Sequence, residues 1–200
     1  MARRSDHSKE ELIELVIQAT LDLIEEKQTV KITARDIAKR VGYTPGSLYT
    51  HFENLDDIFL QVNARSLREL RTQLEKTNHP DNNPGEVLVA MGLAYLDFAR
   101  DHRYRFQALF TPRLPESVSP PAFLQIEIDR LFGLLRDQLV QIRVVDDSVI
   151  ELGTRSLWSG VHGVASLAIA DQLFTPRPQL ERQMIETLVR QFVSSWPPKS

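Results

Sequence analysis

Two helix-start signals with a glycine between them constrain this chain more than any other feature. In Thr33-Ala34-Arg35-Asp36 a carboxylate follows a threonine by three residues, so the hydroxyl can cap a helix amide while the acid reaches back. Ala34, Ile37, Ala38 and Val41 fall on one face of the short helix this predicts. Gly42 then supplies a sharp turn, where left-handed backbone is cheap. Thr44 caps another helix, with Pro45 at its first position, where the missing amide costs nothing. Leu48 and Phe52, four apart, face inward. Upstream, Ser8-Lys9-Glu10-Glu11 is a capping box that opens a longer helix. Leu12, Val16, Ala19 and Leu23 recur there at helical spacing, flanked by Ile13, Ile17 and Ile24, until the polar stretch Glu25 to Thr29 ends it.

The helical pattern continues to the C-terminus. A fourth helix runs from a cap at Asn54, with Asp57 at the box position, to about Lys76, and carries Leu55, Ile58, Phe59, Val62, Leu67, Leu70 and Leu74. Asn78 to Pro84 is a loop. Further helices are expected at Gly85 to Arg100, His102 to Phe110, Pro121 to Arg143, Asp147 to Leu173 and Pro178 to Trp196, with the proline-rich loop Thr111 to Pro121 among them. Period-2 alternation is confined to Thr29 to Ile32. The expected fold class is all-α, with a boundary after residue 54 that divides a tri-helical segment over 1–54 from a helical remainder over 55–200.

Of the 200 residues 42% are hydrophobic, ample for a buried core, and none is cysteine, so disulfides, thiolate metal sites and cysteine nucleophiles are excluded. Metal binding is not expected: His79, His102 and His162 are scattered, with no H-x-x-x-H pair. No Gly-rich phosphate loop and no nucleophile elbow is present, so the chain does not read as an enzyme and calls for no cofactor. The N-terminus turns charged where a signal peptide is apolar, and Ser156 to Ala170 is too short and too rich in Gly, Ser and His to span a membrane. A cytoplasmic protein without a membrane partner is expected.

The net charge of −3 does not advertise nucleic-acid binding, and residues 1–54 hold eight basic residues against nine acidic ones. Between Lys27 and Phe52, however, there are five basic residues and one acid, Asp36, and phosphate contacts need local rather than overall positive charge. Three short helices with a tight turn between the second and third fit a helix-turn-helix, whose third element lies in the major groove. They equally fit any small helical domain, and spacing alone leaves both open. On the helix-turn-helix reading, small Gly46 and Ser47 let the backbone approach the groove floor, and the helix N-termini at Thr33 and Thr44 offer amides to phosphate.

The run Ile32-Thr33-Ala34-Arg35-Asp36-Ile37-Ala38-Lys39-Arg40-Val41-Gly42-Tyr43-Thr44-Pro45-Gly46-Ser47-Leu48-Tyr49-Thr50-His51-Phe52 closely resembles the signature of the TetR family, T-x-x-x-I-A-x-x-x-G-V-S-x-G-x-L-Y-x-H-F. The resemblance implies double-stranded operator DNA as the partner, a helix-turn-helix DNA-binding domain over residues 1–54 and a helical effector-binding and dimerisation domain over 55–200. It implies that Thr33, Thr44, Tyr49 and His51 position phosphates, that Pro45, Gly46, Ser47 and Thr50 meet base edges, and that Arg35 and Tyr43 belong to the same surface. Arg3 and Arg4 fit an arm entering the minor groove or a solvated tail. Two positions depart from the pattern. Leu55 stands where the family usually has a phosphate-binding lysine, beside Glu53, Asp56 and Asp57. Tyr43 replaces a small aliphatic, either to pack or to reach phosphate.

In the C-terminal half, Leu157-Trp158-Ser159-Gly160-Val161-His162-Gly163-Val164-Ala165-Ser166-Leu167 resembles the Trp-x-x-x-His-Gly motif of one TetR subgroup, the WHG type. Trp158 and His162 share a helical face. The histidine reads as a core residue bonded to a neighbour, as a polar group in a pocket, or, least well, as a metal ligand. Gly160 and Gly163, each costing about 1 kcal/mol relative to alanine in a helix, suggest a close approach by another helix, a partner subunit or a ligand. The family resemblance implies a homodimer through the last two helices, where Leu180, Met184, Leu188, Phe192 and Trp196 form a stripe beside Ile185 and Val189. The same stripe also fits packing within one subunit.

Effector-pocket candidates are Met91, Tyr95, Phe98, Phe106, Phe110, Phe123, Ile126, Phe132, Trp158 and His162. Few charges lie among them, which suits a small apolar or aromatic effector. The expected function is a transcriptional regulator, a ligand-responsive repressor on a palindromic operator. The alternatives are an architectural or division-linked DNA-binding protein without an inducer, and a helical enzyme, which the sequence supports poorly.

Overall fold

Every cap signal in the sequence starts a helix in the computed structural model of the chain. The Glu11 amide donates to Ser8 Oγ at 3.2 Å and the Ser8 amide to Glu11 Oε2 at 2.7 Å. Thr33 and Asp36 repeat the exchange at 3.2 and 3.0 Å. At Thr44 the returning acceptor is Ser47 Oγ, 3.0 Å from the Thr44 amide. Asn54 caps the Asp57 amide at 2.9 Å, but the Asp57 carboxylate reaches past it to the amide of Glu53 at 3.0 Å.

The structure describes residues 8–78, 83–111, 113–115, 117–173 and 178–196. Arg3, Arg4, His79 and the middle of the 78–84 loop lie outside the described residues. Among those described there is no strand. The helices are α1 (Lys9–Lys27), α2 (Ala34–Val41), α3 (Pro45–Leu48), α4 (Leu55–Glu75), α5 (Pro84–Asp101), α6 (Arg103–Leu109), α7 (Ala122–Ile142), α8 (Asp147–Ile169) and α9 (Pro178–Ser194). Helix α3 is shorter than the pattern suggests: one turn, then turn structure in which the His51 and Phe52 amides donate to the Leu48 carbonyl. Helix α8 stops before Leu173 because Asp171 turns left-handed, φ 57°. The same conformation at Gln28, φ 50°, ends α1 without a glycine. No described helix is long and apolar enough to cross a membrane.

The chain divides into two compact units, and the division does not fall at a single cut after Asn54. The first unit takes residues 1–66 with 104–125, and the second takes 67–103 with 126–200. In the first unit Val16, Ile24, Ile37, Leu48, Phe52, Ile58, Phe59 and Val62 form one buried cluster, to which Tyr43, Leu55 and Tyr104 add partly buried flanks. Helix α6 joins this unit through polar groups as well. Asn63 Nδ2 donates to the Ala108 carbonyl at 3.3 Å, and Arg105 to Ser66 Oγ at 3.3 Å.

In the second unit α5, α8 and α9 pack against one another pairwise. Gly92 makes room for Ile185, whose Cγ2 lies 2.8 Å from where a β-carbon would stand. Ion pairs of Glu86 with Arg190, Asp97 with Arg182 and Arg100 with Glu181 set α5 antiparallel to α9. Arg190 holds the Glu86 carboxyl below its usual range.

Candidate nucleic-acid interface and effector cleft

The α2–α3 corner is built by Gly42. Its φ of +77° lies where only glycine is comfortable, and no other atom comes within 4 Å of a would-be β-carbon, so conformation rather than space selects it. Leu48 and Phe52 are buried and anchor the corner. Thr33, Arg35, Thr44, Pro45, Gly46, Tyr49 and Thr50 are exposed, while Tyr43, Ser47 and His51 are half-buried. The expected interface residues are therefore all exposed or half-buried, and all belong to the first unit. Tyr43 packs against the core cluster.

Much of the polar capacity of that surface is already engaged. The amides of Asp36 and Ser47 are held by the Thr33 and Thr44 hydroxyls, as the cap signals predict. Ser47 Oγ donates to the Thr44 carbonyl and Thr50 Oγ1 to the Ser47 carbonyl, both at 2.7 Å. Their remaining capacity toward a partner is as acceptors. His51 Nδ1 is buried without a hydrogen-bond partner among the described residues.

The local basic run is also smaller than its count. Lys27 pairs with Asp36 at 2.5 Å, and Arg40 pairs with Glu26. Lys27 and Thr33 together hold the Asp36 carboxyl well below the usual range. Lys31, Arg35 and Lys39 stay exposed and join no ion pair with a described residue. Arg35 and Lys39 are one turn apart on α2 and share a face. The sequence flagged Arg35 but not Lys39, because spacing does not say which cations a neighbouring acid will claim.

The second unit contains an apolar cleft with about 390 Å³ of empty space, part of it open to solvent. Helix α5 contributes Leu88, Met91, Gly92 and Tyr95, and α8 contributes Leu157, Trp158 and Val161. Leu131 and Leu135 of α7 and Leu74 of α4 complete the wall, which exposes no nitrogen or oxygen. Of the expected pocket residues, Met91, Tyr95 and Trp158 line it, and His162 stands directly behind Tyr95 and Trp158. Phe98 is buried against His102 at 4.9 Å, outside the lining. Phe106, Phe110 and Phe123 belong to the first unit, and Ile126 is exposed. The leucines were missed because an aliphatic residue that faces a cleft and one that faces a core have the same helical spacing.

Behind the wall the Trp-x-x-x-His pair forms a stack, rings 5.1 Å apart and 15° from parallel. Tyr95 Oη lies 2.9 Å from His162 Nδ1, and His162 Nε2 lies 3.1 Å from Ser166 Oγ. Burial pushes the Tyr95 phenol up, opposed by a hydrogen bond from Trp158, and burial lowers the His162 value. No group of three or more potential metal ligands occurs among the described residues. Of the two helix glycines, Gly160 admits Leu188 of α9, 2.9 Å from a would-be β-carbon, whereas Gly163 meets nothing within 4 Å. Gly153 seats the Trp196 ring, two of whose atoms would lie 2.2 Å from an added β-carbon.

On α9 the expected stripe splits. Ile185 and Val189 are fully buried within the subunit, Trp196 is buried against α8, and Leu180, Met184, Leu188 and Phe192 are half-buried. On α8, Leu152 and Leu167 are exposed.

Residues 16–62 match the family described as bacterial regulatory proteins, tetR family, and residues 88–192, more than half of the chain, match the tetracyclin repressor-like C-terminal domain. Uncharacterized HTH-type transcriptional regulators of Mycobacterium tuberculosis (strain H37Rv) and Mycobacterium bovis are each 36% identical over 75 residues, which is 38% of this chain and 37% of theirs. The match thus spans little more than a third of those relatives. Among solved structures, a protein of unknown function from Rhodococcus sp. RHA1 superposes with a TM-score of 0.76 at 14% identity, over 97% of this chain and 98% of that one. The TetR-family repressor FadR of Thermus thermophilus, in complex with lauroyl-CoA, gives 0.68 at 16% identity over 94% and 96%. BioQ with its natural double-stranded DNA operator gives 0.67 at 20% over 91% and 98%. At these identities the likeness is one of fold.

Proposed function

The chain belongs to the TetR family of bacterial DNA-binding transcriptional regulators, and from that premise we propose that it is a ligand-responsive repressor that binds a palindromic operator as a homodimer. One observation carries this reading: an outward α2–α3 surface and an apolar cleft occupy separate compact units of the same chain. The cleft favours a ligand-responsive protein over an architectural one. FadR with lauroyl-CoA and BioQ with its operator are chains of this fold that hold the two kinds of partner.

On this reading Arg35 and Lys39 meet phosphates alongside Thr33, Thr44, Tyr49 and His51. Pro45, Gly46, Ser47 and Thr50 face base edges, with Ser47 and Thr50 accepting hydrogen bonds and the Thr50 methyl free to touch a thymine. The exposed Leu152 and Leu167 and the half-buried α9 stripe form the face for a second copy. A two-fold pairing would place the reading heads one DNA turn, about 34–36 Å, apart. An effector that prefers a conformation with wrongly spaced heads releases the DNA. Trp158, His162 and Gly163 support the WHG subgroup, and on this reading the protein acts in the cytoplasm.

The test is a footprint and an anisotropy titration on the DNA flanking the chain's own gene. The expected result is a protected palindrome bound with two protomers and released by an apolar ligand. Uniform binding to unrelated DNA at modest salt would sink the proposal.

A further inference from the structure

The polar groups nearest the cleft satisfy one another. Tyr95 is 4% exposed and sits on the cleft wall, yet no oxygen shows on that wall. An indole can only donate, so the Trp158 bond to Tyr95 makes the phenol oxygen an acceptor. We assign the phenol proton to His162 Nδ1, the ring nitrogen 2.9 Å away. That leaves the imidazole proton on Nε2, facing Ser166 Oγ at 3.1 Å. Trp158, Tyr95, His162 and Ser166 form a one-way relay that engages the Tyr95 hydroxyl and both ring nitrogens of His162. Phe132 packs edge-on against Trp158 at 5.3 Å and holds the indole in place. The Arg155 guanidinium lies over Phe132 at 3.9 Å and bonds Glu151 at 2.6 Å, so it is committed away from the cleft.

We propose that the effector taken by this cleft is a neutral aliphatic molecule, and that His162 is the positioning residue that enforces this by holding the Tyr95 hydroxyl out of the cleft. The inference rests on the reading of the cleft as the effector site. Leu74, Leu88, Leu131, Leu135, Leu157 and Val161 offer branched aliphatic contact, and no lining residue is charged. A carboxylate entering here would leave water for a wall without a donor. An alkyl chain or alicycle fits that chemistry; an anionic or strongly hydrogen-bonding group does not.

The test is calorimetry on the full chain with a matched pair, methyl octanoate and octanoate, at neutral pH. The wild type is expected to bind the ester about tenfold or more tighter than the anion. In His162→Leu the phenol loses its acceptor and turns toward the cleft, and the preference is expected to shrink at least about threefold. Adding Tyr95→Phe removes the hydroxyl and should restore it, which a merely structural histidine would not show. Should His162→Leu fail to fold, Tyr95→Phe alone decides: it is expected to keep the wild-type preference and affinity, whereas a hydroxyl used on the ligand would cost about tenfold.

Octanoate binding as tightly as the ester, no binding of the ester, or a preference that His162→Leu leaves unchanged would each overturn the inference. Operator release is scored in the same samples by anisotropy. An ester that binds without releasing DNA sinks the ligand-responsive repressor and leaves the cleft chemistry standing. An anion that binds more tightly and releases DNA does the reverse.

Discussion

Gly42 and Gly153 do opposite jobs in the two units. At Gly42 the space around a would-be β-carbon is open and the backbone is left-handed; at Gly153 the backbone is ordinary helix and the space is filled by the Trp196 ring. The α2–α3 corner of the first unit is shaped by backbone conformation: an eight-residue α2, reciprocal caps, a one-turn α3 and hydroxyls bonded to carbonyls three residues back. The second is shaped by side-chain fit: long helices that approach closely where a glycine permits and a polar relay sealed behind an apolar wall. Regular backbone geometry leaves a surface that can meet another regular object, whereas side-chain fit leaves a cavity whose chemistry depends on what stands behind the wall.

That contrast is broken most sharply at Gly153. Gly153→Ala drives a methyl into Trp196 and is expected to cost about 1–3 kcal/mol in a chemical melt; pairing it with Trp196→Leu should recover part of the loss. At Gly42 no such rescue exists, because nothing collides. Gly42→Ala is expected to cost about 1–2 kcal/mol through its left-handed backbone alone, and Gly42→Asn less, since asparagine tolerates that region. Recovery of Gly42→Ala by any large-to-small neighbour would erase the distinction between the glycines.

A smaller effect separates the units by pH. Burial depresses the His162 value from 6.5, so the unfolded chain takes up the proton first. Stability is full above about pH 6.5 and declines as pH falls toward the folded value. His162→Gln should flatten the difference between melts at neutral pH and at mildly acid pH, without altering operator affinity at neutral pH.

The smallest changes are in the salt dependence of operator binding. Leu55→Lys should steepen the slope of log K against log salt by roughly 0.9 if a phosphate lies there. Arg35→Ala and Lys39→Ala should each make it shallower by about the same amount. Lys27→Ala and Arg40→Ala should change it less, because Asp36 and Glu26 already neutralise those charges.

How much of this was legible in the sequence differs between the units. The caps at Ser8, Thr33, Thr44 and Asn54, the Gly42 turn and the inward Leu48 and Phe52 all depend on residues within four positions of one another, so pattern alone finds them. The same locality hid the left-handed Gln28, since nothing in its neighbours demands it. In the second unit the helix ranges were legible, but the pocket was not. Phe98, Phe106, Phe110, Phe123 and Ile126 share the apolar spacing of Met91, Tyr95 and Trp158 yet line no part of the cleft.

The sequence by itself determined an all-helical chain with a helix-turn-helix corner, because helix starts, stops and apolar periods are local consequences of side-chain chemistry. Only the tertiary structure decided which cations of the Lys27 to Arg40 run are spent in ion pairs, that α9 divides into a buried Ile185–Val189 edge and a half-exposed stripe, and that Tyr95, 67 residues from His162 along the chain, supplies its partner. These are contacts between elements distant in sequence. Their energies depend on distance and burial, which no local spacing encodes.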